Sequence, residues 1–323
     1  MADDIIKQYM AARLPRIESA LTRAVDNLPE PVRPIAAHIF QAGGKRLRPV
    51  LTLLMGALFS TDDSRLCDLA ISVEMLHAAT LLHDDILDNS NSRRGRPCAH
   101  LHFGLTQTIL AGDALLASAN GIVATWDIPA LSRSFSEATS RTAAGEILEL
   151  SSLRRVDLED GIYENIVRGK TAWLLRCACE MGAIAGGASA GEITAAAVYG
   201  ENLGMAFQLV DDALDFSPED ETGKPCGGDL REGKPTLPIM AYRESLPQDE
   251  RHDFDRAFCH IGFSQAELES ISASIRKSGF SNLARDAAKI YVDKARSALA
   301  TLPLQEEREI LDQLCVYVCE RSK

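Results

Sequence analysis

From about residue 65 to residue 216 the chain reads as one helical pattern after another. The breaks along it are short, among them Gly95-Arg96-Pro97, Asp127-Ile128-Pro129 and Gly186-Gly187. Apolar residues recur at helical spacing, and no alternating Val/Ile/Thr runs flank an Asn-Gly turn to mark a hairpin. Helices are expected at about 65–89, 104–125, 130–152, 158–185 and 190–216. Ser189 with Glu192, and Ser264 with Glu267, precede apolar-periodic runs at the spacing of a capping box. Breaks this short leave no linker, so the expected fold class is all-α, a single-domain helical bundle over residues 1–323. The exception is Pro218–Pro235, rich in Gly, Pro and charge, which reads as a mobile loop at about 217–235.

Two acidic motifs stand out against this background. Asp84-Asp85-Ile86-Leu87-Asp88 closes one expected helix and Asp211-Asp212-Ala213-Leu214-Asp215 closes another. On a helix the first and last Asp of each motif project from one face, where like charges are destabilising. A helix C-terminus also disfavours anions. The same two violations at matching places point to a cation that offsets them. Carboxylate oxygen suits Mg²⁺, Mn²⁺ or Ca²⁺, and Mg²⁺ commonly shares carboxylates with substrate phosphates. Glu74-x-x-His77 matches half of a di-iron motif, but that architecture needs a second such pair, which the sequence lacks. His77 lies two turns before Asp84 and faces nearly the same way, as a possible phosphate donor.

Net charge sharpens the search for the substrate. At −12, the chain is a poor partner for nucleic acid or an anionic membrane surface. An anionic substrate would need local basic groups or a bridging metal, and basic groups are present. Gly43-Gly44-Lys45-Arg46-Leu47-Arg48-Pro49 precedes a helical run; Arg93 and Arg94 follow Asp88; Gly169-Lys170-Thr171 lies on a helix; Lys224 and Lys234 each sit between Gly and Pro. Arginine suits bidentate phosphate contacts. No P-loop, Rossmann fingerprint, nucleophile elbow or zinc-ligand cluster is present. Metal, phosphate clamps and apolar walls without a protein nucleophile suit chemistry in which diphosphate leaves.

The eight cysteines form no C-x-x-C pair and read as reduced thiols of a cytoplasmic protein. The N-terminus lacks the pattern of a signal peptide. The longest apolar run, Val50–Phe59, is about half of a bilayer crossing, so no transmembrane segment is expected.

Taken in order, G-G-K-R-L-R-P, L-L-H-D-D-I-L-D-N-S-N-S-R-R-G, F-Q-L-V-D-D-A-L-D and G-K-P-C-G-G-D-L-R-E-G-K-P-T-L-P resemble the signatures of bacterial trans-polyprenyl diphosphate synthases. The likeness runs from about residue 43 to 240, and the ending Val318-Cys319-Glu320-Arg321 is also similar. The resemblance implies an isoprenoid synthase fold, a homodimer of helical bundles, each with a deep central cavity. It implies Mg²⁺ held by Asp84, Asp88 and Asp211, with Asp85, Asp212 and Asp215 in support. Arg93, Lys170, Thr171, Gln208, Lys224 and Lys234 would contact an allylic diphosphate. Lys45, Arg48, His77 and Arg94 would grip isopentenyl diphosphate. The allylic ester ionises, the isopentenyl double bond attacks the cation, and the released diphosphate takes the proton. Only two residues separate Asp85 from Asp88, and Ala79 and Thr80 are small, which by the same resemblance favours a long product. Geranylgeranyl or farnesyl diphosphate synthesis is the nearest alternative. A terpene cyclase or head-to-head condensing enzyme fits less well, given Lys45–Arg48. A non-catalytic subunit of a heteromeric synthase would be expected to lose acidic residues, and both motifs are intact.

Overall fold

The computed structural model describes residues 2–59, 64–218 and 226–321. Its elements are α1 (Ala2–Asp26), α2 (Arg33–Gln41), α3 (Leu47–Ala57), α4 (Ser64–Leu87), a small hairpin of β1 (Ser92–Arg93) and β2 (Arg96–Pro97), α5 (Ala99–Phe103), α6 (Leu105–Ala124) and α7 (Pro129–Ser152). There follow α8 (Ile162–Val167), which runs through a π-helical turn at Arg168–Ala172 into α9 (Trp173–Ala185), and then α10 (Ala190–Leu214). The rest is α11 (Gly228–Glu232), α12 (Leu237–Ser245), α13 (Gln248–Arg256), a second π turn (Ala257–Ile261), α14 (Gln265–Lys277), α15 (Phe280–Leu299) and α16 (Glu306–Glu320). The all-α class is as expected, and both capping boxes form: Ser189 with Glu192, and Ser264 with Glu267.

The chain gathers into two compact units, each discontinuous in sequence: 1–139 with 174–197 and 301–313, and 140–173 with 198–300 and 314–323. In the first, α4 is buried along most of its length and packs along α6 and α3, as a largely apolar helix must. Leu69, Val73, Leu76 and Leu82 are buried there with Leu51, Leu54, Leu115 and Val123. Arg65–Leu87 is long and apolar enough to cross a membrane, a length the run at Val50–Phe59 had not suggested. Yet 72% of its apolar 18-residue stretch is buried inside the protein, so the apolarity serves the core.

In the second unit an aromatic core of Phe216, Phe254 and Phe258 closes around Leu230, Ile239, Leu268 and Ile275. Buried Ala284, Ala288, Val292, Ala295 and Leu299 give α15 one apolar stripe, which packs on α12.

Two expectations change in detail. A hairpin signal was missed: Arg94 and Gly95 both take positive φ (52° and 77°), forming a two-residue turn between β1 and β2. The helix expected from 158 begins at Ile162, after Gly161 at φ 83°.

Candidate active site

The first acidic motif sits at the end of α4, where the Asp88 N–H still donates to the Asp84 carbonyl at 2.8 Å. Asp84 and Asp88 are half-buried, whereas Asp85 is 1% exposed. This is the asymmetry expected of an i, i+4 pair facing a site with its neighbour turned inward. Asp85 Oδ1 accepts from Arg93 Nε at 2.7 Å and pairs with Arg93 Nη2 at 2.6 Å. The hairpin accounts for that reach, since its tight turn returns the chain to the helix end. Burial and the Asp85 charge push the neighbouring Cys98 thiol up to about 11, so it stays protonated and unreactive at neutral pH.

The Gly43–Pro49 stretch divides its cations between two tasks. Arg46, at φ 48°, turns inward and is 4% exposed. It donates to Glu18 Oε1 at 2.7 Å, Glu74 Oε1 at 3.1 Å and the Phe40 carbonyl at 2.9 Å. Glu74 is thus a buried counter-ion, which accounts for the half di-iron motif. Arg48 is half-buried, and its Nε has no hydrogen-bond partner among the described residues. Burial holds the Arg48 guanidinium below its ordinary value, partly offset by Glu74, and Arg94 adds to the lowering. A Cβ on Gly44 would come within 2.7 Å of Arg94 Nη1, so the missing side chain lets Arg94 lie over this loop. His77 is held well below its ordinary value by burial and then by Arg48, Arg94, Arg93 and Arg46. Arg48, Arg94 and His77 therefore come together as a neutral imidazole among guanidinium groups, a setting for an anion. Lys45 is exposed beside them in sequence.

The second motif closes α10 with the same pattern: Asp211 and Asp215 are half-buried and Asp212 is 5% exposed. Asp212 accepts from Tyr163 Oη at 2.5 Å and from Gln208 Nε2 at 2.8 Å, while Thr171 Oγ1 donates to Gln208 Oε1 at 2.7 Å. Burial, with Asp211 and Asp215 nearby, pushes the Asp212 carboxyl up to about 7 against these hydrogen bonds. Asp211 Oδ1 pairs with Arg321 Nη2 at 2.7 Å. The Arg321 guanidinium is also stacked over the Phe207 ring, 3.8 Å from its centroid. Both Asp215 oxygens accept backbone N–H groups, from Gly228 at 3.1 Å and Asp229 at 3.0 Å.

That capture by Asp215, with Leu230 buried in the aromatic core, folds the described part of the expected mobile loop, 226–235, into α11 and its flanks. Residues 219–225, and with them Lys224, lie outside the described residues.

Lys170 belongs to the π turn, a feature that recurs at functional sites. The turn lies close against α7 because Gly145 faces Gly169: a Cβ on Gly145 would be 2.4 Å from the Lys170 nitrogen. Lys170 Nζ pairs with Glu146 at 3.0 Å and Glu149 at 2.9 Å; Lys234 Nζ pairs with Glu149 at 3.4 Å and Glu232 at 2.5 Å. Lys170, Thr171, Gln208, Asp212 and Lys234 line one pocket with Tyr163 and Asp229. Sequence reasoning missed Tyr163, Glu146, Glu149, Asp229 and the Arg321 contact. The Gly-Lys steps at 169–170 and 233–234 are two of four in the chain and did not by themselves single these residues out.

Ala79 is 2% exposed, while Thr80 is half-buried and donates to the His77 carbonyl at 2.9 Å. Thr80 lies one turn before Asp84 on its face; Ala79 is turned away from it.

The donors fit a hard divalent cation. Asp84 and Asp88 offer oxygen from one face, and no group of three or more His, Cys, Asp or Glu gathers to enclose an ion among the described residues. Such an ion commonly completes its shell with phosphate and water oxygens.

The sequence profile of the polyprenyl synthetase family matches residues 29–273. An all-trans-nonaprenyl-diphosphate synthase (geranyl-diphosphate specific) from Rhodobacter capsulatus is 36% identical over 90% of this chain and 89% of its own. A geranylgeranyl diphosphate synthase from Saccharolobus solfataricus is 34% identical over 88% of this chain and 89% of its own. Among solved structures, a polyprenyl synthase from Caulobacter crescentus, complexed with calcium and isoprenyl diphosphate, superposes with a TM-score of 0.92 at 34% identity. It covers 100% of this chain and 98% of its own. Relatives of near-equal identity differ in product, so similarity leaves chain length open.

Proposed function

The chain belongs to the polyprenyl synthetase family and is a trans-prenyltransferase; we propose that it extends an allylic prenyl diphosphate with isopentenyl diphosphate to a long-chain, octaprenyl-like all-trans product. The observation that carries this reading is the repeated asymmetry of the acidic motifs, outer carboxylates half-buried and inner ones buried, each with its own cationic cluster. Asp84, Asp88 and Asp211 would hold Mg²⁺ (or Mn²⁺), with Asp215 as a further ligand. When bound, the metal supplies charge stabilisation for the departing diphosphate. Asp85 keeps Arg93 aimed, and Asp212 keeps Gln208 and Thr171 aimed. Lys170, Lys234, Arg93 and Lys224 grip the leaving group, whose charge grows as the bond breaks. Lys45, Arg48, Arg94 and His77 hold isopentenyl diphosphate, which keeps its diphosphate throughout. The proton lost after attack goes to the released diphosphate.

The small residues Ala79 and Thr80, upstream of Asp84, favour a long tail. A homodimer is part of the same reading, supported by exposed Leu101, Leu105, Ile109 and Leu110 on α5 and α6; so is a cytoplasmic location. Intact motifs disfavour a non-catalytic subunit of a heteromeric synthase. Incubating the purified protein with Mg²⁺, isopentenyl diphosphate and a series of allylic primers, then weighing the products, tests the proposal. Turnover is expected to stop in EDTA. Products no longer than farnesyl or geranylgeranyl diphosphate would replace the long-chain reading, and no condensation with any primer would refute prenyl transfer.

A further inference from the structure

One carboxylate stands between the two lysines assigned to the leaving diphosphate. Lys170 Nζ is 2.9 Å from Glu149 Oε2, and Lys234 Nζ is 3.4 Å from Glu149 Oε1. Glu149 is 7% exposed and lines the same pocket. An anion in the wall of an anion site opposes binding, so its position asks for another use. We propose that Glu149 is a positioning residue, holding Lys170 and Lys234 where they grip the diphosphate. The inference rests on the prenyl-transfer reading above.

The backbone supports the same arrangement. Each lysine follows a glycine set against α7 or the turn after it. Gly169 abuts Gly145, with a Cβ on Gly169 falling 2.5 Å from the Gly145 Cα. The Gly233 carbonyl accepts from the Arg154 N–H at 2.7 Å, and a Cβ on Gly233 would meet Arg154 Cγ at 2.5 Å. Glu149 lies between Gly145 and Arg154, so one stretch of chain fixes both lysine-bearing backbones and supplies the carboxylate that joins their side chains.

Electrostatics agree with the geometry. The lysine side chains are 24% and 20% exposed. Burial works against the charge on both, yet the surrounding carboxylates, Glu149 foremost, hold both lysines above their ordinary value, while Lys234 pulls Lys170 the other way. Glu146 pairs with Lys170 and Glu232 with Lys234, whereas Glu149 bridges the two. Without it, repulsion and side-chain entropy would carry the ammonium groups towards solvent. A diphosphate, carrying more charge than one carboxylate, takes over contacts that are already aimed.

Calorimetric titration of inorganic diphosphate with Mg²⁺ present, into the full-length wild type, E149A, E149D, K234A and E149A/K234A, tests the proposal. Melting curves establish that each variant is folded. E149A is expected to weaken diphosphate binding and lower kcat by about tenfold or more. The KM for isopentenyl diphosphate should hold, and E149D should restore most of the loss. In E149A/K234A the two defects should combine to less than their product, because Glu149 acts through the lysines. Binding by E149A as tight as wild type would overturn the proposal, showing a carboxylate that only competes with ligand. Independent, multiplicative defects would overturn it as well. If E149A melts too low to assay, E149Q keeps the shape without the charge and is judged by the same outcomes. The titration needs no turnover. A wild type that binds diphosphate yet forms no prenyl product would sink the functional reading and leave this inference standing.

Discussion

Replacing Gly145 with Ala adds one methyl group where two backbones meet. In α7 the substitution should favour the helix by about 0.5–1 kcal/mol, because Gly costs more backbone entropy than Ala. Against that, the new Cβ would lie 2.4 Å from the Lys170 nitrogen and 2.6 Å from both the Gly169 Cα and carbonyl carbon. Ordinary contact begins near 3.4 Å, so α7 and the π turn must separate by about 1 Å. The obstructing atoms are all backbone, and no flexible side chain can yield. Overpacking of this kind costs roughly 1–3 kcal/mol, which set against the helical gain leaves a net loss of about 0–2.5 kcal/mol, a little over 1 at the midpoints. The same shift draws Lys170 from Glu146 and Glu149, and a misplacement of about 1 Å can cost on the order of a hundredfold in turnover. Urea unfolding and steady-state kinetics measure the two effects. Gly191→Ala is the control: that glycine is in α10 with nothing within 4 Å of an added Cβ, so stability should hold or rise slightly. A Gly145→Ala enzyme as stable and as fast as wild type would refute the close-approach argument.

The remaining expectations follow from the same geometry. Lys45→Ala and Arg48→Ala should chiefly raise the KM for isopentenyl diphosphate, while Lys170→Ala and Lys234→Ala should chiefly lower kcat, each by about tenfold to a hundredfold; one shared kinetic defect in all four would break the division. Asp212, raised to about 7 when folded, contributes stability that is complete below the ordinary carboxylate pKa and is lost as pH rises through 7. Metal-free Asp212→Asn should therefore lose less stability than wild type between about pH 4 and 7, and urea titrations in EDTA showing the same slope for both would count against it. Thr80→Phe and Ala79→Phe should shorten the product, because each buried CH₂ favours binding by about 0.8 kcal/mol until the tail meets a wall; folded, active variants with wild-type product length would remove these residues from the tunnel.

The sequence alone determined the features that depend on neighbours along the chain. Helical periodicity set the class, Ser264 with Glu267 set a helix start, and i, i+4 spacing put Asp84 with Asp88 and Asp211 with Asp215. Each follows from residues within a turn or two of one another, so pattern was enough. Only the tertiary structure decided which partners those side chains meet. It gave Asp85 to Arg93, Asp212 to Tyr163, Asp211 to Arg321, and both lysines to Glu149. Arg46, a cation in the middle of a basic motif, turned inward to Glu74, which no charge count distinguishes from its neighbours Lys45 and Arg48. Such pairings join residues from separate elements, and local spacing carries no signal for them. They exist because burial leaves a charge no water to turn to, so the fold must supply its counter-ion from whichever helix lies alongside.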